Sequence, residues 1–128
     1  MQIISEIATI LQSEVGLVKG TDFFNASVFP EIAECTIISD TATVGVGSEV
    51  IHTRFTIFTR SSTRKTARVK IDSIVKKLFK REDEVTDSFR INYIRLDTGP
   101  ALYQDNVNLF GERLHTYFVN FSVFYEDK

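Results

Sequence analysis

The chain has 128 residues, 43% hydrophobic and 25% charged, an ordinary composition for one globular domain with a real core, expected over residues 1–128. Its net charge of -2 gives no overall pull toward nucleic acid or acidic membranes. The single cysteine, Cys35, excludes an internal disulfide and an all-cysteine metal site.

Residues 2–13 read as a helix. Ile3, Ile4, Ile7, Ile10 and Leu11 fall on one stripe, and Gln2, Glu6, Thr9 and Ser13 stay outside it. Gly16 is the expected stop, because glycine accepts the left-handed conformation after a helix. The opening MQIISEIATILQ has no basic n-region and no long apolar run, so neither a signal peptide nor a membrane span is expected there. Residues 17–30 read as irregular, punctuated by Gly20, Asn25 and Pro30. Phe23, Phe24, Val28 and Phe29 are too apolar for a free loop and are expected to fold over an edge of the core or to meet a partner. Residues 34–41 form a strand candidate, and residues 43–49 read as a hairpin connection. Gly45 and Gly47 lack the third glycine, the Gly-Lys-Ser/Thr and the following helix of a phosphate loop.

Residues 50–81 organise the rest. Ile51, Thr53, Phe55, Ile57 and Thr59 alternate onto one face of a strand. The period then switches, and Ala67, Ile71, Ile74, Val75 and Leu78 make a helical stripe. Ser61 or Ser62 is the expected cap. Nine Lys or Arg stand between Arg60 and Arg81 against the single Asp72, a local charge of +8 that leaves -10 on the remainder. The run is either a solvated helix face or a surface that pairs with an acidic one on another chain. Its first-turn cations oppose the helix dipole, and Val69 points away from the apolar stripe, so Lys65, Val69, Lys76 and Lys80 are expected at a protein contact. Glu82, Asp83 and Glu84 read as a helix end in solvent.

Residues 88–97 are a strand, with Phe89, Ile91 and Tyr93 expected on one face and Ile94 and Leu96 on the other. Residues 98–111 read as a long loop, and such loops are usually functional or disordered. Leu102, Tyr103, Val107, Leu109 and Phe110 make it too apolar for disorder, and Leu102, Tyr103 and Phe110 join the expected interface. Residues 112–126 are the strongest strand, with aromatics on both faces; loops or another subunit must cover the face away from the helices. The expected fold is α+β in the order α-β-β-α-β-β. Its sheet is four-stranded and mainly antiparallel, with both helices on one face.

Little catalytic chemistry is on offer. His52 and His115 lie inside strand patterns, where a packed or hydrogen-bonded role is the simplest reading. Cys35 has no His or Asn placed near it in sequence and reads as a small buried hydrophobe. No metal, cofactor or catalytic residue is assigned. No RNP1-like pattern of glycine and aromatics occupies the strands, and the basic residues lie on the helix.

The chain resembles the tail terminator and minor capsid proteins of long-tailed bacteriophages over most of its length. The likeness lies in the helix followed by GTDFF at Gly20, in TRSSTRKTARVKIDSIVKKLF, and in the closing GPALYQDNVNLFGERLHTYFVNFSVFYE. Pro100, Asp105, Arg113, Asn120, Phe121 and Val123 occupy the places of that family's closing pattern. Glu112 separates Gly111 from Arg113, and residues 103–111 are longer and more apolar than the pattern. The resemblance implies a non-enzymatic virion protein at the tail-head junction, assembled in the bacterial cytoplasm. It implies a homo-oligomeric ring, a hexamer, that caps the tail tube and ends its polymerisation. The implied partners are the major tail tube protein and a head completion or connector protein, with DNA passing through the lumen without specific binding and no membrane contact. Two other classes remain open: a small ferredoxin-like ligand- or nucleic-acid-binding domain, and an enzyme whose site is completed across a subunit boundary.

Overall fold

A computed structural model describes residues 3–25, 32–46, 50–79 and 81–128. In chain order the elements are α1 (Ile3–Val15), β1 (Phe23–Asn25), β2 (Cys35–Val46), β3 (Ile51–Ser61), α2 (Arg64–Leu78), β4 (Glu82–Val85), β5 (Phe89–Val107) and β6 (Arg113–Asp127). The strands form one six-stranded sheet in the order β1-β2-β3-β6-β5-β4. β1 pairs parallel to β2, and every other pairing is antiparallel.

The four-stranded, mainly antiparallel expectation is thus corrected to a six-stranded mixed sheet. Phe23–Asn25 is a strand on one margin, paired with Thr36, Ile37 and Ile38. The acidic Glu82–Val85 is a strand on the other margin, paired with β5, where a helix end in solvent was expected. β5 runs for 19 residues and absorbs most of the supposed loop at 98–111. Register shifts at Leu96/Thr98, Thr98/Ala101 and Leu102/Gln104 let the strand continue past Gly99 and Pro100. Proline is tolerable there, because among the described residues β5 has no strand beyond Ile94 on its outer side. β2 likewise continues to Val46 through two register shifts.

β3 and β6 alternate as read. Phe55 faces Phe121, Ile57 faces Val119, and all four are fully buried. Ala67, Ile71, Ile74 and Leu78 of α2 are also fully buried. Ile3, Ile4, Ile7, Ile10 and Leu11 of α1 enter the same cluster, with Phe23 and Ile38. Each such large aliphatic or aromatic residue stabilises by about 1.5–3 kcal/mol through burial. β5 departs from the expected phase. A bulge between Ile91 and Tyr93 puts Phe89, Ile91 and Ile94 in the core with Leu96 packed on it, and Tyr93 becomes exposed.

Polar groups under the helices are matched. The Thr59 hydroxyl donates to the Ala67 carbonyl at 2.8 Å, tying α2 to β3. Thr53 Oγ1 and the Tyr125 hydroxyl lie 3.1 Å apart. Glu6, expected outside the α1 stripe, is buried; it accepts from the Ser88 amide at 2.9 Å and the Thr86 hydroxyl at 3.0 Å, closing the β4–β5 turn onto the helix. The cap of α2 is Thr63, not Ser61 or Ser62, and its hydroxyl accepts from the Thr66 amide at 3.2 Å.

Candidate assembly surfaces

The outward stripe of α2 carries the first expected contact. At 100° per residue, Lys65, Val69, Asp72 and Lys76 project from one side of the helix, opposite Ala67, Ile71 and Ile74. Lys65, Val69 and Lys76 are exposed, Val69 by 58%. Lys80 lies outside the described residues. Three of the neighbouring cations are engaged. Arg64 pairs with Asp105, Arg68 with Asp72 at 3.1 Å, and Lys70 with Glu34 at 3.2 Å. Glu34 also accepts from the Ser61 hydroxyl at 2.8 Å and the Ser62 amide at 3.1 Å, fixing the entry to α2. Burial opposes ionisation of Glu34, but the Ser62 amide, the Ser61 hydroxyl and Lys70 together hold its carboxyl below the usual range.

The β5–β6 hairpin carries the second. Its tip exposes Leu109 by 86% and Phe110 by 74%, beside exposed Val107. The turn is built for this display. The Asn108 side-chain oxygen accepts from the Phe110 amide at 2.9 Å and the Glu112 amide at 3.0 Å, and the Asn108 amide donates to the Glu112 carbonyl at 3.0 Å. Gly111 closes the turn at φ +78°. Below the tip, Asp105 lies opposite His115, with its carboxylate 2.6 Å from His115 Nδ1 and paired to Arg64. The His115 and Arg64 contacts hold the Asp105 carboxyl below its ordinary range. They also lash the hairpin to the first turn of α2.

Leu102 and Tyr103, read as loop residues, sit in β5 and are exposed. Tyr103 packs edge-on against Phe58 at 5.0 Å and Phe118 at 5.9 Å. Leu109, not among the expected contact residues, is as exposed as Phe110; the signal for its display is the Asn108-to-Gly111 turn chemistry around two large apolar residues.

The sheet face turned from the helices carries half-buried aromatic side chains that stack on one another. His52, Phe124 and Tyr93 stack across three strands, with centroids 4.2 Å and 4.5 Å apart. Arg95 lies over Phe124 at 5.2 Å. Beside this ladder is a depression of about 390 Å³ lined by Arg54, Arg95, Asp97, Thr98 and Asn120. Burial opposes charge on Asp97, yet its bonds from Ser122 and from Arg95, at 2.7 Å, keep the carboxyl low. Burial, with Arg95 and Arg54, pushes the His52 imidazole down. Its Nε2 is enclosed, with no hydrogen-bond partner among the described residues.

Cys35 is buried, and burial pushes its thiol up, away from a reactive thiolate. Among the described residues no cluster of His, Cys, Asp and Glu has the arrangement to hold a metal ion. No described helix is long and apolar enough to cross a membrane.

No protein-family profile and no curated relative matches the sequence. Among solved structures, the chain is similar in fold to one described as "Virion of native gene transfer agent (GTA) particle". The TM-score is 0.57 at 12% identity, over 95% of this chain and 92% of that one.

Proposed function

We propose that this chain is a structural virion protein of the phage type, a single tail-terminator-like domain rather than an enzyme. It forms a ring that caps the tail tube, ends tube polymerisation and joins the tail to the head connector. The observation that carries this reading is the fold shared, nearly end to end, with a chain of a gene transfer agent virion. Two further observations support it. The closing pattern at Pro100, Asp105, Arg113, Asn120, Phe121 and Val123 resembles that of tail terminators. The hairpin holds Leu109 and Phe110 out on a hydrogen-bonded turn, an arrangement that costs solvation unless a partner covers it.

In this reading the ring is a hexamer at the tail-head junction. Leu102, Tyr103, Leu109 and Phe110 meet the tail tube protein, and Lys65, Val69, Lys76 and Lys80 meet a neighbouring copy. DNA passes the lumen without specific contact, so the basic helix does not line it: lysines there would hold phosphates. The test is electron microscopy of particles made with and without the chain. Tails of one defined length, a ring at the head-proximal end, and loss of both on its removal are expected. Tails of unchanged length and attachment without the chain would overturn the reading.

One observation favours a second reading, a nucleic-acid-binding module. The solvent-facing His52–Phe124–Tyr93 ladder, with Arg95 beside it, has the chemistry on which single-stranded bases stack. Micromolar binding of a fluorescent oligonucleotide, lost in Tyr93→Ala, would favour it.

A further inference from the structure

The stripe on α2 has a complement on a different part of the molecule. β4 is the last strand of the sheet on its side, so its outer edge has no strand partner among the described residues. Along it, Glu82, Asp83 and Val85 are exposed, Val85 by 53%. Asp83 sits at φ +50°, a left-handed conformation that aspartate tolerates better than most residues. Among the described residues, neither Glu82 nor Asp83 has a side-chain ion pair or hydrogen bond. Two nearby charges are otherwise occupied: Glu84 pairs with Arg81 at 2.6 Å, and Arg90 faces Glu126 at 3.9 Å.

Lys65 and Lys76 on the α2 stripe are likewise without an ion-pair partner among the described residues, while Asp72 between them is engaged by Arg68. The stripe is therefore two free cations flanking exposed Val69, spread over ~16 Å of helix. The edge offers two free anions beside exposed Val85, spread over ~10 Å of strand. One surface lies on the helix layer and the other on the sheet margin, so a copy can use both at once. That is the requirement of a head-to-tail contact, where two different patches meet and repetition closes a ring.

We propose that the Lys65–Val69–Lys76 stripe of one copy docks on the Glu82–Asp83–Val85 edge of the next. Lys76, ~10 Å along the helix from Val69, pairs with Glu82 and Asp83, which lie within ~10 Å of Val85 along the strand, beside a Val69–Val85 contact, and Lys65 adds to the attraction at longer range. The occupant is a second copy of this chain, and the inference rests on the ring reading given above. The charges steer encounter and set register, and salt weakens them within a Debye length of ~8 Å.

The test is sedimentation velocity at low salt on the parent, on K65E/K76E, on E82K/D83N and on their equimolar mixture. Asparagine at position 83 keeps a residue suited to positive φ. Each variant is first shown to melt like the parent. The parent is expected as a ring, and each variant alone as a monomer, its association weakened about tenfold or more. The mixture is expected to regain the ring, because each variant keeps the patch the other lacks and the altered patches now attract. Rings from either variant alone, matching the parent at low salt, would overturn the pairing while leaving the ring standing. So would a mixture that stays monomeric. A parent that sediments as a monomer in every salt and concentration would instead overturn the ring reading itself, and the pairing with it.

Discussion

The central strands β3, β6 and β5 present two faces made of similar residues with different fates. On one face Phe55, Phe121, Ile57, Val119 and Ile91 are sealed under α1 and α2. On the other, Phe58, Phe118 and Phe124 are only half-buried, stacked against His52, Tyr93 and Tyr103 with solvent beyond. Phe121 and Phe124 are three residues apart in one strand, yet one is core and the other is surface. Hydrophobic content alone does not assign a face; the layer above it does. The covered face holds the fold together, and the uncovered surfaces are the ones proposed here for assembly.

Substitutions that separate the two roles give the sharpest test. The largest effect is expected at Leu78, fully buried in the last turn of α2. Leu78→Asp places an unpaired charge in the core and should unfold the chain, losing several kcal/mol. Circular dichroism melting checks it, and a cooperative melt near that of the parent would contradict the helix placement. Next, Phe121→Ala should destabilise by about 3–5 kcal/mol, as expected for a buried aromatic. Phe124→Ala should lose only about 1 kcal/mol, the scale of a partly solvated aromatic pair. Urea denaturation of the two side by side measures the difference between the faces, and equal losses would erase it.

A smaller loss, of about 1 kcal/mol or more, is expected for Gly99→Ala. Gly99 has φ +89°, and an added Cβ would lie 2.7 Å from the Phe118 carbonyl oxygen, so the strand pairing must shift. Urea titration reads this as well.

The acid limb of stability gives a smaller effect. The Glu34 carboxyl is held below its ordinary 4.5, so the ionised form is favoured by folding. Its contribution is present above the unfolded value and is lost as pH falls through the folded one. Glu34→Gln should therefore lower the melting temperature at pH 7 and flatten its fall below about pH 4.5, so that variant and parent converge in acid. An unchanged acid limb would remove Glu34 from the account.

Much of the covered face was legible. The alternation from Ile51 to Thr59, the switch of period into Ala67–Leu78 and the alternation of β6 all arise from local periodicity, which sequence displays directly. The margins of the sheet were not legible. β1 is three residues long and exists only through parallel pairing with β2. β4 reads Glu-Asp-Glu-Val, a composition poor in strand preference, and is held by backbone bonds to β5. Gly99 and Pro100 look like a strand end, yet bulges on an open edge carry the strand through them. The bulge between Ile91 and Tyr93 reversed the faces assigned beyond it, because a one-residue shift inverts a period of two. Of the proposed assembly surfaces, the exposed Val69 and Phe110 could be named from pattern. The acidic edge at Glu82 and Asp83 could not, since it needed the strand to be seen first.

The smallest effect on stability, and the largest on assembly, is expected at the hairpin tip. Leu109→Ser with Phe110→Ser should leave the melt within about 0.5 kcal/mol of the parent, as for exposed sites elsewhere. The same double change should abolish attachment to tail tubes in a co-sedimentation assay. Normal attachment would remove the tip from the interface.

Hydrogen exchange of the chain, free and then assembled on tails, tests the division of roles most directly. The account predicts new protection at the tip around Leu109 and Phe110 and along the outer edge of β4, with β3 and the buried turns of α2 unchanged. Equal protection at the tip and the β4 edge before and after assembly would contradict it.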